Sequence, residues 1–216
     1  MNRPTYICAV FALALAVGCS SGKGCSCEGD KKASGDVQRE EPNDMKAPDD
    51  FASITDEEKR SRAIFEEMGK VLQHPRCVNC HPSGDEPLQG EKSLPHQPMV
   101  TRGNAGMGTP GMRCTTCHGA SNFRNSPGSS GWRLAPRQLG WEDKSLAQIC
   151  ETLKLGGGGE NLRPVVSFMK NNSVVAYGWT PPDQYEPVPG THERFGKLAE
   201  AWLETGAHCP TTTEGP

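Results

Sequence analysis

Two pentapeptides of the same pattern, Cys77-Val78-Asn79-Cys80-His81 and Cys114-Thr115-Thr116-Cys117-His118, constrain this chain more than any other feature. Each sets two thiols three positions apart and an imidazole directly after the second. Covalent haem attachment needs that order. Both sulfurs lie on one side of a single helical turn to bond the two vinyl groups, and the histidine one position on swings under the macrocycle to bind its iron. Cys77, Cys80, Cys114 and Cys117 are therefore expected to carry two haem c groups, with His81 and His118 as proximal iron ligands. The competing reading is a zinc ribbon built from the two C-x-x-C pairs. Such ribbons separate their pairs by roughly 15–20 residues. Here 33 residues lie between Cys80 and Cys114, and zinc gives no reason for a histidine after both pairs.

Covalent haem attachment belongs to an extracytoplasmic compartment, and the start of the chain reads accordingly. Arg3 gives a positive leading region, and residues 6–17 form an unbroken apolar run of 12. A membrane-spanning helix needs roughly 20, so residues 1–18 are expected to be a secretory signal peptide. Ala16-Val17-Gly18-Cys19 resembles a bacterial lipobox, which makes Cys19 the expected lipidated first residue of the mature protein. Ser20 after it resembles an outer-membrane sorting signal. Ala12-Leu13-Ala14 and Ala14-Leu15-Ala16 also fit ordinary signal-peptidase sites, and cleavage there leaves a soluble periplasmic protein. Residues 19–50 hold almost no large apolar side chains and are expected to form a flexible linker. Within it Cys25 and Cys27 read as a solvated pair, because two cysteines alone are too poor in ligands for a metal site.

Residues 51–216 read as one domain of usual size. With 25 Gly and 18 Pro in the chain, long regular elements must be few. Three helices stand out. The first starts at Thr55, with Glu58 completing a capping box, and spaces Ile64, Phe65, Met68, Val71 and Leu72 along one face. The second starts at Ser145 with Gln148 three positions on, carries Leu146, Ile149, Cys150 and Leu153, and stops at the glycine run 156–159. The third starts near Thr191 and stripes Phe195, Leu198, Ala199, Trp202 and Leu203 before Gly206. Residues 164–169 and 173–177 read as short helical turns. The expected fold is mainly α, a small helical cytochrome c-like domain with long Gly/Pro-rich loops wrapped around two covalent haems. With only 6% aromatic residues the protein core is expected to be thin and the porphyrins to be the main apolar mass. Most of Met68, Met107, Met112, Trp132, Trp141, Trp179 and Trp202 are then packing residues.

Once the motif, signal and linker cysteines are assigned, Cys150 and Cys209 are the pair left in the folded domain. An oxidising compartment makes them the expected disulfide.

The formal charge of −3 argues against a nucleic-acid partner. Its distribution says more. Residues 92–141 hold no Asp or Glu, while Lys92, Arg102, Arg113, Arg124, Arg133 and Arg137 all fall there, around the second motif. Two haems bring four propionates, and Arg102, Arg113, Arg124 and Arg133 are natural partners for them. The same charges also suit a basic docking face that steers an acidic redox partner.

The stretch from Cys77–His81 through Pro95-His96 and Arg102-Gly103 to Cys114–His118 resembles the core of bacterial periplasmic di-haem c-type cytochromes. Its spacing is similar to the di-haem small subunit of periplasmic nitrate reductases. Over a longer range, with Gly178-Trp179, Pro187-Val188-Pro189-Gly190 and Gly206-Ala207-His208-Cys209-Pro210, it resembles di-haem proteins labelled isoquinoline 1-oxidoreductase subunits. The resemblance implies electron transfer to or from a periplasmic or membrane-bound oxidoreductase, such as a dehydrogenase, a hydroxylase or another cytochrome. The other class is a haem enzyme or sensor with one open iron position, a small peroxidase or gas-binding protein. A chain this short favours the relay.

In the nitrate-reductase subunits a histidine between the motifs is an axial ligand, and His96 matches it. Held between Pro95 and Pro98, His96 is stiffened for projecting its ring, and it is the expected distal ligand of one iron. For the other iron Met99, Met169, His74 and His208 all remain open. His192 reads as a solvated residue near a helix cap.

Overall fold

The structure, a computed structural model, describes residues 45–156 and 161–211. The expected signal peptide (1–18), the lipidation site Cys19, the pair Cys25 and Cys27 and most of the expected 19–50 linker lie outside those residues. The described part is mainly α-helical. No helix in it is long and apolar enough to cross a membrane.

Residues 45–50, read from composition as linker, already belong to the fold. Met45 is buried, the Lys46 N–H donates to a Glu67 carboxylate oxygen at 2.9 Å, and the Arg194 guanidinium donates to the Met45 carbonyl at 2.7 Å. One methionine in a polar segment is invisible to an averaged composition, yet it pins the chain to the helices.

Helix α1 (Glu57–Leu72) buries the predicted face of Ile64, Phe65, Met68, Val71 and Leu72. It is capped one residue later than expected, by Asp56 and not Thr55: the Asp56 carboxylate accepts the Lys59 N–H at 3.0 Å. A carboxylate satisfies the free N–H and also complements the positive end of the helix dipole, which a hydroxyl does not. A four-residue helix, α2 (Pro75–Val78), follows and carries Cys77. Two small antiparallel hairpins come next, β1 (Leu88–Gln89) with β2 (Leu94–Pro95) and β3 (Gly108–Thr109) with β4 (Met112–Arg113). Helix α3 (Leu146–Gly156) shows the predicted reciprocal cap: the Ser145 N–H donates to Gln148 Oε1 at 2.9 Å, and the Gln148 N–H to Ser145 Oγ at 3.3 Å. The two expected turns are α4 (Arg163–Asn171) and α5 (Ser173–Ala176). Helix α6 (His192–Glu204) is capped by Thr191, whose hydroxyl accepts the Arg194 N–H at 3.1 Å.

Both α1 and α4 pack on α6, and α1 also meets α3. Gly196 lets α4 approach closely, since a Cβ there would lie 2.9 Å from Lys170 Cγ. The core joins Phe65, Met68, Ile149, Phe195, Leu198 and Trp202, among others, in one cluster. It is more complete than the aromatic content suggests, because Trp and Phe residues concentrate where the helices cross.

Cys150 and Cys209 form the expected disulfide, tying α3 to the chain just after α6, with Cα atoms 5.6 Å apart. It closes a loop of 59 positions, for which the chain-entropy model gives a stabilisation of roughly 4 kcal/mol. Cys150→Ala with Cys209→Ala is expected to lose up to that amount. Urea unfolding checks it, and an unchanged midpoint would show that the bridge adds nothing.

The helices do not extend over residues 82–135, which hold the second motif. Of the Leu, Met, Val, Phe and Trp side chains there, only Trp132 and Leu134 are buried. Gly106 has φ of 75°, and a Cβ on it would lie 2.4 Å from the Leu134 carbonyl. That close crossing, sealed by the Leu134 N–H donating to the Gly106 carbonyl at 2.8 Å, sets Trp132 and Leu134 behind the second motif. The thin core expected from composition is thus confined to this segment.

Candidate functional site

The first motif grows out of α2. Pro75 opens that helix and His74 caps it, its Nδ1 accepting the Arg76 N–H at 3.2 Å. The turn continues through the Cys80 N–H to the Cys77 carbonyl at 3.1 Å and the His81 N–H to the Val78 carbonyl at 2.9 Å. The His81 ring then meets two partners from far along the chain. Its Nδ1 lies 2.7 Å from the Leu139 carbonyl oxygen, and Trp141 stacks on it at 3.6 Å between ring centres and 6° between planes. Burial pushes the His81 pKa down to about 4, against the pull of the Leu139 carbonyl, so the ring is neutral at ordinary pH. A carbonyl can only accept, which puts the proton of the neutral ring on Nδ1 and leaves the Nε2 lone pair available to a metal. Burial raises the Cys77 and Cys80 thiols to about 12 and about 11.

The second motif repeats this arrangement on a different scaffold. Cys114 opens a 3-10 turn, Cys114–Thr116, and the His118 N–H returns to the Cys114 carbonyl at 2.9 Å. His118 Nδ1 lies 2.6 Å from the Pro127 carbonyl, and Trp132 stacks on the ring at 4.0 Å and 12°. Burial lowers the His118 pKa as well. His96 comes to the same place from the strand side. Its Nδ1 lies 3.0 Å from the Pro98 carbonyl, and its ring centre is 6.2 Å from that of His118. All three imidazoles thus spend Nδ1 on a main-chain carbonyl.

A cleft of about 790 Å³ runs between the motifs. Cys80 of the first motif and Cys114, Cys117 and His118 of the second line it, with His96 and Trp132. Its apolar wall includes Leu94, Met112 and Phe123, which are 57%, 38% and 67% exposed. Large apolar side chains left open beside thiols suit a large apolar group covalently held. Among the described residues no three His, Cys, Asp or Glu side chains gather as a metal cage, so the two C-x-x-C pairs do not converge on one four-cysteine site.

No family model, curated protein or solved structure matches the chain.

The structure sorts the other expected site residues by place. Arg113 and Arg124 line the cleft, and Arg124 lies 5.3 Å over the Phe123 ring. Arg133 is exposed beside Trp132 and outside the lining. Arg102 departs from the propionate role. Buried, it donates to the carbonyls of Ala135, Pro82 (3.0 Å) and Gly84 (2.7 Å) and pairs with Asp85 at 3.6 Å. A planar fork with five donors gathers carbonyls that a loop without regular structure leaves unpaired, and so Arg102 ties the strands around both motifs together. Met99 is 72% exposed and not part of the lining. Met169 is in the helical core, its carbonyl 2.7 Å from His192 Nε2. His208 lies against α1 and α6, where its N–H donates to Ser61 Oγ at 3.0 Å and its carbonyl accepts from Trp202. His74 stays beside the first motif as a helix cap. Sequence reasoning missed Leu139, Pro127, Trp132 and Trp141 as site residues. Main-chain carbonyls carry no sequence signal at all, and a tryptophan reads first as packing.

Proposed function

We propose that this chain is a periplasmic di-haem c-type cytochrome that relays electrons to or from a periplasmic or membrane-bound oxidoreductase, tethered through Cys19 to a bacterial membrane. One observation carries the reading: the pairing of His96 with His118. Two imidazoles bound through nitrogen to one metal, at about 2 Å each, place their ring centres roughly 6 Å apart, and these centres are 6.2 Å apart with both Nδ1 atoms bonded to carbonyls. Cys114, Cys117, His118 and His96 would hold one haem, and Cys77, Cys80 and His81 the other. Haem iron supplies a reversible one-electron change. The residues of the chain do the rest: the carbonyls of Leu139, Pro127 and Pro98 orient the imidazoles, and Leu94, Met112 and Phe123 would offer the group an apolar wall. Arg113 and Arg124 at the cleft meet propionates or an acidic partner. The Cys150–Cys209 disulfide fits an oxidising compartment.

A second reading, small-ligand binding at the first motif, draws on a specific contrast. Among the described residues the ring partner of His81 is Trp141, with no second imidazole placed as His96 is to His118. Carbon monoxide added to the reduced protein separates the two: a spectral change in one haem favours an open iron, and none favours the pure relay.

The test of the main reading is mass spectrometry of protein matured in a host able to attach haem c. Two haem additions are expected, falling to one in Cys77→Ser/Cys80→Ser and one in Cys114→Ser/Cys117→Ser. Zinc in place of haem would end it.

A further inference from the structure

A buried tryptophan almost always finds an acceptor for its indole N–H. The chain has four, and they divide cleanly. Trp202 donates to the His208 carbonyl at 3.0 Å and Trp179 to the Pro189 carbonyl at 3.1 Å. Trp132 and Trp141, both 5% exposed, have no acceptor for Nε1–H among the described residues. These are the two that stack on His118 and His81. The device is built twice from unrelated connections, since Trp132 follows its histidine within one loop while Trp141 reaches back across the whole second-motif segment. Leaving a buried donor unpaired costs about 1–3 kcal/mol; among the four tryptophans it happens only in the two that touch a motif histidine, and the other such donors among the described residues are Arg62 Nε and Arg102 Nε.

Indole can only donate, so its partner must be an acceptor. The protein offers no carboxylate from residues 92–141, which lack Asp and Glu altogether. Glu142, next to Trp141, is already engaged, accepting the Ser83 N–H at 3.1 Å. With no acidic side chain in an arginine-bearing segment, the acceptor that fits is an anionic one brought by the bound group; Trp132 lines the cleft, and Trp141 lies behind it against His81.

Resting on the di-haem reading above, we propose that Trp132 and Trp141 are positioning residues of a matched pair. The face of each indole fixes the plane of one proximal imidazole, and each indole N–H donates to a carboxylate of a haem. The positive end of that N–H, close to the macrocycle and shielded from water, disfavours the oxidised iron and so raises its midpoint potential. Without the plate, only the carbonyl at Nδ1 would set the plane of each imidazole.

The test uses the mature full-length protein with haem content first confirmed by mass. Absence of covalent haem there would overturn the di-haem reading itself, before this inference is reached. Trp132→Phe and Trp141→Phe keep a flat face and delete the donor. Each is expected to lower the midpoint potential of one haem, leave the other unmoved and keep both irons low-spin. Leucine at either position should in addition change the paramagnetic anisotropy of that haem, because the plate is gone. In the reduced wild-type protein, nuclear magnetic resonance should show two slowly exchanging indole protons, each lost in its own variant. Unchanged midpoints in both phenylalanine variants, or two indole protons exchanging as in an unfolded chain, would overturn the proposal.

Discussion

Trp202→Ala is expected to destabilise the protein by about 3–5 kcal/mol, the usual range for truncating a fully buried Trp. That is a large part of a total of about 5–15 kcal/mol for a domain. Trp202 is completely buried on α6 and meets the Phe65 ring of α1 at 4.9 Å. Its carbonyl accepts the Ala207 N–H at 2.9 Å and the Ser61 hydroxyl at 3.4 Å, and its indole N–H holds the His208 carbonyl. The substitution therefore opens a cavity between α1 and α6 and leaves the His208 carbonyl unpaired next to the Cys150–Cys209 bridge. The cost should appear as an earlier urea midpoint, with the haem content proposed for the motifs unchanged, since the motif cysteines lie outside the Trp202–Phe65 contact. A loss of less than 1 kcal/mol would mean that the helices are not held at this crossing.

How far the sequence carried depended on the kind of feature. The faces of α1, α3 and α6 were legible because helical spacing of apolar residues directly reports which side is buried. The Ser145 and Thr191 caps followed from local side-chain chemistry. Thr55 gave way to Asp56 because two adjacent residues both cap well and the charged one gains more from the dipole. Residues 45–50 were lost to an average that a single Met45 contradicts. The Cys150–Cys209 pair came from counting, which works when every other cysteine has an assigned role.

At the site, the two pentapeptides and the chemistry expected of them were readable since the cysteines and the histidine are adjacent in sequence. The supporting contacts were not. Leu139 and Pro127 act through carbonyls that every residue possesses, and Trp141 reaches His81 across 60 positions that no local pattern spans. Arg102 shows the opposite error. Its place in a basic, acid-free stretch suggests a partner for an anion, while a loop poor in regular hydrogen bonds claims its donors first. The segment 82–135 joins these cases: with little apolar burial of its own, it is shaped by Arg102, by the Gly106 crossing and by the stacked His118–Trp132 pair.

On the proposed di-haem reading, His96→Ala is expected to convert one haem from a low-spin, six-coordinate iron to a high-spin iron open to carbon monoxide, with both haems still covalently attached. The distal role predicted from Pro95-His96-Gln97-Pro98 gains a geometric basis in the His118 ring 6.2 Å away. The Pro98 carbonyl at Nδ1 leaves Nε2 for iron. His96 is only half-buried, and its ring bonds just two residues along its own loop. His96 has no place in the helical core, so its loss should leave that core folded. That separates ligand loss from unfolding. Added imidazole should restore the low-spin signal by taking the place of the missing ring, which a misfolded site would not permit. Paramagnetic resonance and the optical spectrum of the oxidised protein decide the matter. Two low-spin irons in the variant, with no response to carbon monoxide, would move the distal ligand to another of the remaining side chains, and the 6.2 Å pairing would then be a contact of the loop alone.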